Sequence, residues 1–268
     1  ITYDDSQIRK HIEKILDLPY IDSFAIRNAK FKVAVDAVNS TGGLAIPLLL
    51  RSLGVEQIEE LYCEPTGRFP HNPEPLAENL TEISKVVVKS KANLGFVVDP
   101  DVDRLAIVCE DGEMFGEEYT LVAVSDYILS IVPGNTVSNM SSTRALRDIT
   151  EKAGQQYFSS AVGEVNVVKR MKETNAVIGG EGNGGVIMPE LHYGRDALVG
   201  IALFLTHLAK SGKKCSALRA SYPSYFISKN KIQLMPEMDV DQILTSIAEK
   251  YKRQPVNQID GVKIEFDK

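Results

Sequence analysis

Three aspartates at alternate positions, Asp99, Asp101 and Asp103, stand in the stretch GFVVDPDVDRLAIV. They follow an apolar run, Leu94 to Val98, that reads as a short strand ending at Asp99 and Pro100. A turn at that place can fold the carboxylates round one hard cation with oxygen ligands, Mg2+ ahead of Ca2+. A single Asp in a turn commonly caps its own backbone. Three so close repel one another unless a cation or protons intervene. Apolar residues resume at Leu105 to Val108, so the acidic segment is expected as a loop between two strands, stiffened by Pro100.

Two other acidic-loop chemistries fit less well. An EF-hand loop starting at Asp99 finds Glu110 at its twelfth position, but Arg104 stands where the sixth position needs Gly, and a strand precedes it instead of a helix. A haloacid-dehalogenase-type phosphatase also places Asp-x-Asp after an apolar strand, with the first Asp as nucleophile. It would want Thr or Val where Asp103 stands, and it stays a minor rival.

A second cluster lies about eighty residues on. Gly179, Gly180, Gly182, Gly184 and Gly185 surround Glu181 and Asn183 directly after a strand-like run. Glycines let backbone approach a ligand closely, and a carboxylate beside an amide can share hydrogen bonds with a pair of sugar hydroxyls. The turn is expected to bind carbohydrate, because one carboxylate in a Gly-rich turn suits ligand hydroxyls better than core packing. It is no dinucleotide fingerprint, which needs GxGxxG opening onto a helix, and no Lys followed by Ser or Thr closes it as a P-loop.

The elements that must position these turns alternate along the chain. Phe31 to Val38 reads as a strand ending in Asn39, Ser40 and Thr41, followed by the helix-like LAIPLLLRSLG closed at Gly54. Pro75 to Ser90 has helical spacing and feeds the strand before Asp99. The rhythm restarts with a helix at Tyr119 to Leu129, a weak strand at Asn135 to Asn139, helices at Arg144 to Ala153 and Glu164 to Glu173, and a strand at Ala176 to Ile178. In both halves a strand runs into Ser-Thr and a helix (Ser40-Thr41, Ser142-Thr143), and a later strand ends in an acidic turn (Asp99, Glu181), the mark of a duplicated βα unit. The expected fold class is α/β: two similar three-layer α/β/α domains with mixed, largely parallel sheets, plus a truncated start of a further α+β domain. The boundaries are placed at 1–115, 116–222 and 223–268. The last part holds a strand over Tyr225 to Leu234, a helix over Asp239 to Tyr251 and a final strand over Gly261 to Phe266. A chain that opens on a connector-like helix and closes at Asp267-Lys268 reads as a piece of a longer protein.

Composition narrows the partners. With 268 residues, 44% of them hydrophobic, the chain can bury a sizeable core. Its net charge of −6 is the wrong sign for neutralising nucleic-acid phosphates. No run approaches a membrane span and no secretion signal opens the chain, so a cytoplasmic protein without nucleic-acid or membrane partners is expected. Cys63, Cys109 and Cys215 read as buried reduced thiols.

Taken together and in this order, DPDVDR, GGEGNGG and VAVDAVNSTGG resemble the α-D-phosphohexomutase superfamily of phosphoglucomutases, phosphomannomutases and phosphoglucosamine mutases, over essentially the whole chain. The resemblance implies a four-domain enzyme in which this chain supplies the second and third domains, without the first and most of the fourth. It implies transfer of a phosphoryl group from a phosphoserine to a hexose phosphate, reorientation of the bisphosphate, and return of the other phosphate. Asp99, Asp101 and Asp103 would then hold Mg2+, with Arg104 beside them as a catalytic residue. Glu181, Gly182 and Asn183 would bind the sugar, and SSAVGEVNV would add Gly163 and Glu164 to the cleft. Asp196 and Arg195 read as cap and surface residues, and His192 as structural. The chain departs from the family at Val102, usually Gly, at Asn183, often Ser, and at Gly185, often His. Neither the TASHNP-like serine motif nor the RxSxTEP-like phosphate loop occurs in these residues. Asn183 leans the expected substrate towards glucosamine phosphate, with glucose and mannose phosphates as alternatives. A non-catalytic module that binds metal and sugar phosphate is the reading from another class.

Overall fold

The computed structural model describes residues 6–226, 233–235 and 238–266. Most of the strand expected over Tyr225 to Leu234, and the final Asp267-Lys268, lie outside them. Helices α1 (Ser6–Leu16) and α2 (Ser23–Ala29) lead into β1 (Lys32–Asp36), α3 (Gly42–Ser52), β2 (Gln57–Leu61), α4 (Thr81–Ser90), β3 (Leu94–Val98) and β4 (Leu105–Cys109). The second half repeats the series with α5 (Glu117–Leu129), β5 (Asn135–Asn139), α6 (Ala145–Lys152), β6 (Tyr157–Ser160), α7 (Glu164–Thr174), β7 (Ala176–Gly180) and β8 (Val186–Ile187). Then come α8 (Ala197–Ser211), α9 (Cys215–Ala220), α10 (Val240–Lys250) and the short antiparallel pair β9 (Val256–Asn257) and β10 (Lys263–Ile264).

The two sheets have the same order, β2-β1-β3-β4 and β6-β5-β7-β8. In each, three strands are parallel and the last is antiparallel. The duplication read from the Ser-Thr turns is therefore present as topology, and it puts the acidic turn (β3 to β4) and the Gly-rich turn (β7 to β8) at equivalent places. The edge strands β2 and β6, the short β8 and β9, and helices α2 and α9 lie outside the elements expected from the sequence, which marks α8 only by its cap, Asp196.

Strand alternation divides the core into layers. Val33 and Val35, Leu94, Phe96 and Val98, and Leu105 and Ile107 face one large cluster, while Ala34, Val97, Ala106 and Val108 face Ile83 and Val87 of α4. On the second sheet, Val137 and Ile187 pack on Val167 and Met171 of α7. The large cluster runs through both halves, joined by α5 and α8, which are apolar almost all round as helices buried between layers must be. The tail docks by side chains: Arg147 pairs with Glu265 at 2.8 Å, and Asp260 accepts the Val162 amide at 2.8 Å. Among the described residues no helix is long and apolar enough to cross a membrane.

Candidate functional site

The two turns meet. Arg104 and Gly185 form an antiparallel bridge, and the Leu105 amide donates to the Gly184 carbonyl oxygen at 3.2 Å. The Val102 carbonyl accepts the Ala197 amide at 3.1 Å, so the first turn of α8 is seated on the acidic turn.

Asp99 ends β3 with 5% of its surface exposed, and its Oδ1 accepts the amides of Asp103 and Arg104, both at 3.1 Å. Burial, joined by the charges of Asp103 and Asp101, pushes its carboxyl up to about 7 against the pull of the Arg104 amide. Asp101 is exposed and Asp103 half-buried. One carboxylate oxygen from each of Asp99, Asp101 and Asp103 lies within 4.8 Å of the others. Asp103 Oδ1 is buried without a hydrogen-bond partner. Hard oxygen donors gathered this closely, one of them buried without a hydrogen bond, fit a small divalent cation. Between them Val102 sits at φ +60°, a left-handed conformation that favours glycine and costs a β-branched residue. Arg104 pairs with Glu74 and lies 3.5 Å from Asp99 Oδ2 and 3.8 Å from Asp103 Oδ1, so it ties the turn to the loop that follows β2.

In the Gly-rich turn Glu181 is also only 5% exposed. Its Oε1 accepts Asn139 Nδ2 at 2.8 Å and the Gly163 amide at 3.2 Å, and its Oε2 accepts Arg195 Nη1 at 2.8 Å. The carboxylate expected to stand open for a ligand is thus largely engaged by the protein. Gly163 caps α7 and Glu164 is its first residue. Glu164 accepts both the backbone amide and Nε of Arg195 at 3.3 Å. The structure therefore brings Gly163, Glu164 and Glu181 together through the Gly163 amide and Arg195. Gly182 packs against Ser142, where a Cβ would come within 3.1 Å of its Cα. Asn183 is half-buried, and its Oδ1 accepts the Gly185 amide at 3.2 Å.

Arg195 corrects the sequence reading. Its side chain is 14% exposed, and it ion-pairs with Asp103 of the acidic turn, Glu181 of the Gly-rich turn and Glu164 of α7. Asp196 is the α8 cap as expected: its Oδ1 accepts the Leu198 and Val199 amides, and this turns the preceding residue inward among carboxylates. The available signal was charge: Arg195 is the only Lys or Arg between Ala176 and Ala197. Asn139 was missed as well. His192 donates to Asp196 Oδ2 at 3.1 Å, and His11 of α1 meets the same oxygen at 2.7 Å. The Gly194 amide donates to His192 Nδ1 at 2.9 Å, which leaves the ring proton on Nε2 towards Asp196 and makes this cluster proton-linked. Cys109 and Cys215 are buried, but Cys63 is only half-buried.

Two family models match the chain: the phosphoglucomutase/phosphomannomutase alpha/beta/alpha domain II over residues 9–112, and domain III over residues 116–225. The chain belongs to this family, the α-D-phosphohexomutases. A phosphoglucomutase/phosphomannomutase of Thermococcus kodakarensis is 35% identical over 264 residues, 97% of this chain and 57% of the relative. A phosphoglucosamine/phosphogalactosamine mutase of Sulfurisphaera tokodaii is 29% identical over 272 residues, 97% of this chain and 58% of the relative. Among solved structures, a phosphoglucomutase/phosphomannomutase family protein of Burkholderia thailandensis superposes with a TM-score of 0.84 at 28% identity, covering 97% of this chain and 55% of that one. The chain spans a little over half the length of these phosphohexomutases.

Proposed function

We propose that this chain is the cation- and sugar-phosphate-binding part of an intramolecular phosphotransferase that interconverts hexose 1-phosphate and hexose 6-phosphate. The observation that supports it best is the abutment of the acidic and Gly-rich turns through Arg104 and Gly185, with Arg195 spanning both. In this reading residues 1–115 and 116–222 are the second and third domains of the family, 223–268 opens the fourth, and the work is cytoplasmic.

Asp99, Asp101 and Asp103 would hold Mg2+. When bound, Mg2+ supplies positive charge against the oxygens of the transferring phosphoryl group. Arg104, fixed by Glu74, adds a second positive group at the same turn and is the catalytic candidate. Glu181 already accepts three hydrogen bonds and keeps room for one more, so it offers a single acceptor to a sugar hydroxyl, with Asn183 as the neighbouring donor. Gly163 and Glu164 close that side of the cleft, and Gly182 lets the turn lie flat on Ser142. Asn183 and the amino-sugar relative lean the substrate towards glucosamine phosphate, ahead of glucose and mannose phosphates. The nucleophilic serine is proposed to stand in a TASHNP-like motif that these residues do not contain, so the chain alone is without turnover.

Calorimetry of the chain with Mg2+, and then with the three hexose 6-phosphates in Mg2+, tests this. Binding of Mg2+ that Asp101→Asn weakens and the triple Asn variant loses is the expected result, and equal binding by wild type and triple variant defeats it. A coupled assay primed with the matching 1,6-bisphosphate should read background for the chain alone. A chimera that supplies the serine and phosphate loops should turn over. Binding without turnover in that chimera would favour the non-catalytic module.

A further inference from the structure

The guanidinium of Arg195 is shared among three carboxylates on three different elements. Its Nη2 faces Asp103 Oδ2, its Nη1 faces Glu181 Oε2 at 2.8 Å, and its Nε faces Glu164 Oε2 at 3.3 Å. Asp103 thus spends one oxygen on Arg195 while the other, Oδ1, is buried beside Asp99 and Asp101 without a hydrogen-bond partner, with Arg104 Nε 3.8 Å away. A guanidinium spreads one charge over a plane, whereas a divalent cation concentrates two, and two cations on one carboxylate repel. The denser charge wins the oxygen.

We propose that Arg195 is a positioning residue, the internal counter-ion of the acidic turn: it stands on Asp103 while no cation is held, and a divalent cation takes that role from it. This rests on the reading of Asp99, Asp101 and Asp103 as a cation site. The arms on Glu181 and Glu164 stay seated, so the guanidinium remains in the cleft with part of its charge unanswered. That charge then faces the sugar turn, where an anionic sugar phosphate arrives. Cation binding and sugar-phosphate binding are coupled through this side chain, and the coupling is reciprocal.

The test is calorimetric titration of the chain with MgCl2, with thermal melts in parallel, for wild type, Arg195→Met and Arg195→Lys. Without the competing charge, Arg195→Met should bind Mg2+ on the order of tenfold more tightly, while Arg195→Lys stays near wild type. The cation-free melting temperature of Arg195→Met should fall, and Mg2+ should recover most of the loss, which a purely structural arginine would not allow. Equal or weaker Mg2+ binding by the folded Met variant overturns the counter-ion role. Binding by the Met variant alone supports it. No binding by either protein overturns it together with the cation reading, whereas binding by wild type leaves the cation reading standing whatever the variant does. Should Arg195→Met fail to fold, the arginine Nε–H NMR signal of Arg195 in wild type, identified by its loss in Arg195→Lys, serves instead. It should shift on adding Mg2+, and a signal that does not move overturns the proposal.

Discussion

The carbonyl oxygen of Gly184 accepts the amide of Leu105 at 3.2 Å, which sews the Gly-rich turn of one sheet to the strand that leaves the acidic turn of the other. Gly184 has φ +90°, and a Cβ there would run into the Leu105 carbonyl oxygen. Gly184→Ala therefore meets both backbone strain and a clash with main chain that cannot swing away. The expected cost is about 2–4 kcal/mol of unfolding free energy. Urea denaturation measures it, and a loss below about 1 kcal/mol would mean that the turns are not joined here.

Glu181→Gln is expected to cost stability as well as ligand binding. The carboxylate receives donors on both oxygens, from Asn139 and Gly163 on one and from Arg195 on the other. Whichever way the amide lies, its NH2 group faces a donor, and Arg195 loses a charge partner in a nearly buried place. About 2–3 kcal/mol is expected from a donor left facing a donor. A melt indistinguishable from wild type would return Glu181 to the open, ligand-facing role expected from the sequence.

How much could be read in advance follows from sequence distance. Asp99, Asp101 and Asp103 are legible because alternation along a single strand end brings them together, and the apolar runs around them announce β3 and β4. The duplicated topology is legible for the same reason, in the repeated strand, Ser-Thr and helix order. Arg195 is not, because its partners lie 92, 31 and 14 positions away, and nothing local says that Asp196 will turn it inward. The edge strands β2 and β6 escape because exposed or half-buried residues such as Gln57, Glu59 and Tyr157 blur the period of two. The engagement of Glu181 is likewise a tertiary fact, supplied by Asn139 at the end of β5 and by the start of α7.

The His11–Asp196 pair makes the hold of α1 on α8 depend on pH. Hydrogen bonding to Asp196 raises the His11 pKa above its ordinary 6.5, against burial and the charge of Lys14. Burial works against the Asp196 carboxylate too, but His11 and His192 hold its pKa well below the ordinary 3.8. A raised His contributes stability that is complete below its unfolded value and is lost as pH rises through its folded value, whereas the depressed Asp loses its share only as pH falls far into the acid range. The stability difference between wild type and His11→Ala should therefore be about 1 kcal/mol near pH 5.5 and should shrink by about pH 8.5. Urea titrations at the two pH values decide it. A difference that grows towards alkaline pH would contradict the pairing.

Val102 carries a β-branched side chain at φ +60° in the middle of the acidic turn. Relieving the left-handed backbone should return about 1–2 kcal/mol. Glycine, however, loses about 0.5–1 kcal/mol of chain entropy, and it also gives up the packing of a half-buried valine on the main core, worth about 1 kcal/mol. The terms nearly cancel, so Val102→Gly should leave stability within about 1 kcal/mol of wild type. The same exchange at Val98, fully buried in β3, has no strain to relieve and should cost at least about 3 kcal/mol. Parallel urea denaturation of the two variants makes the comparison. If Val102→Gly loses as much as Val98→Gly, the turn is not strained at Val102.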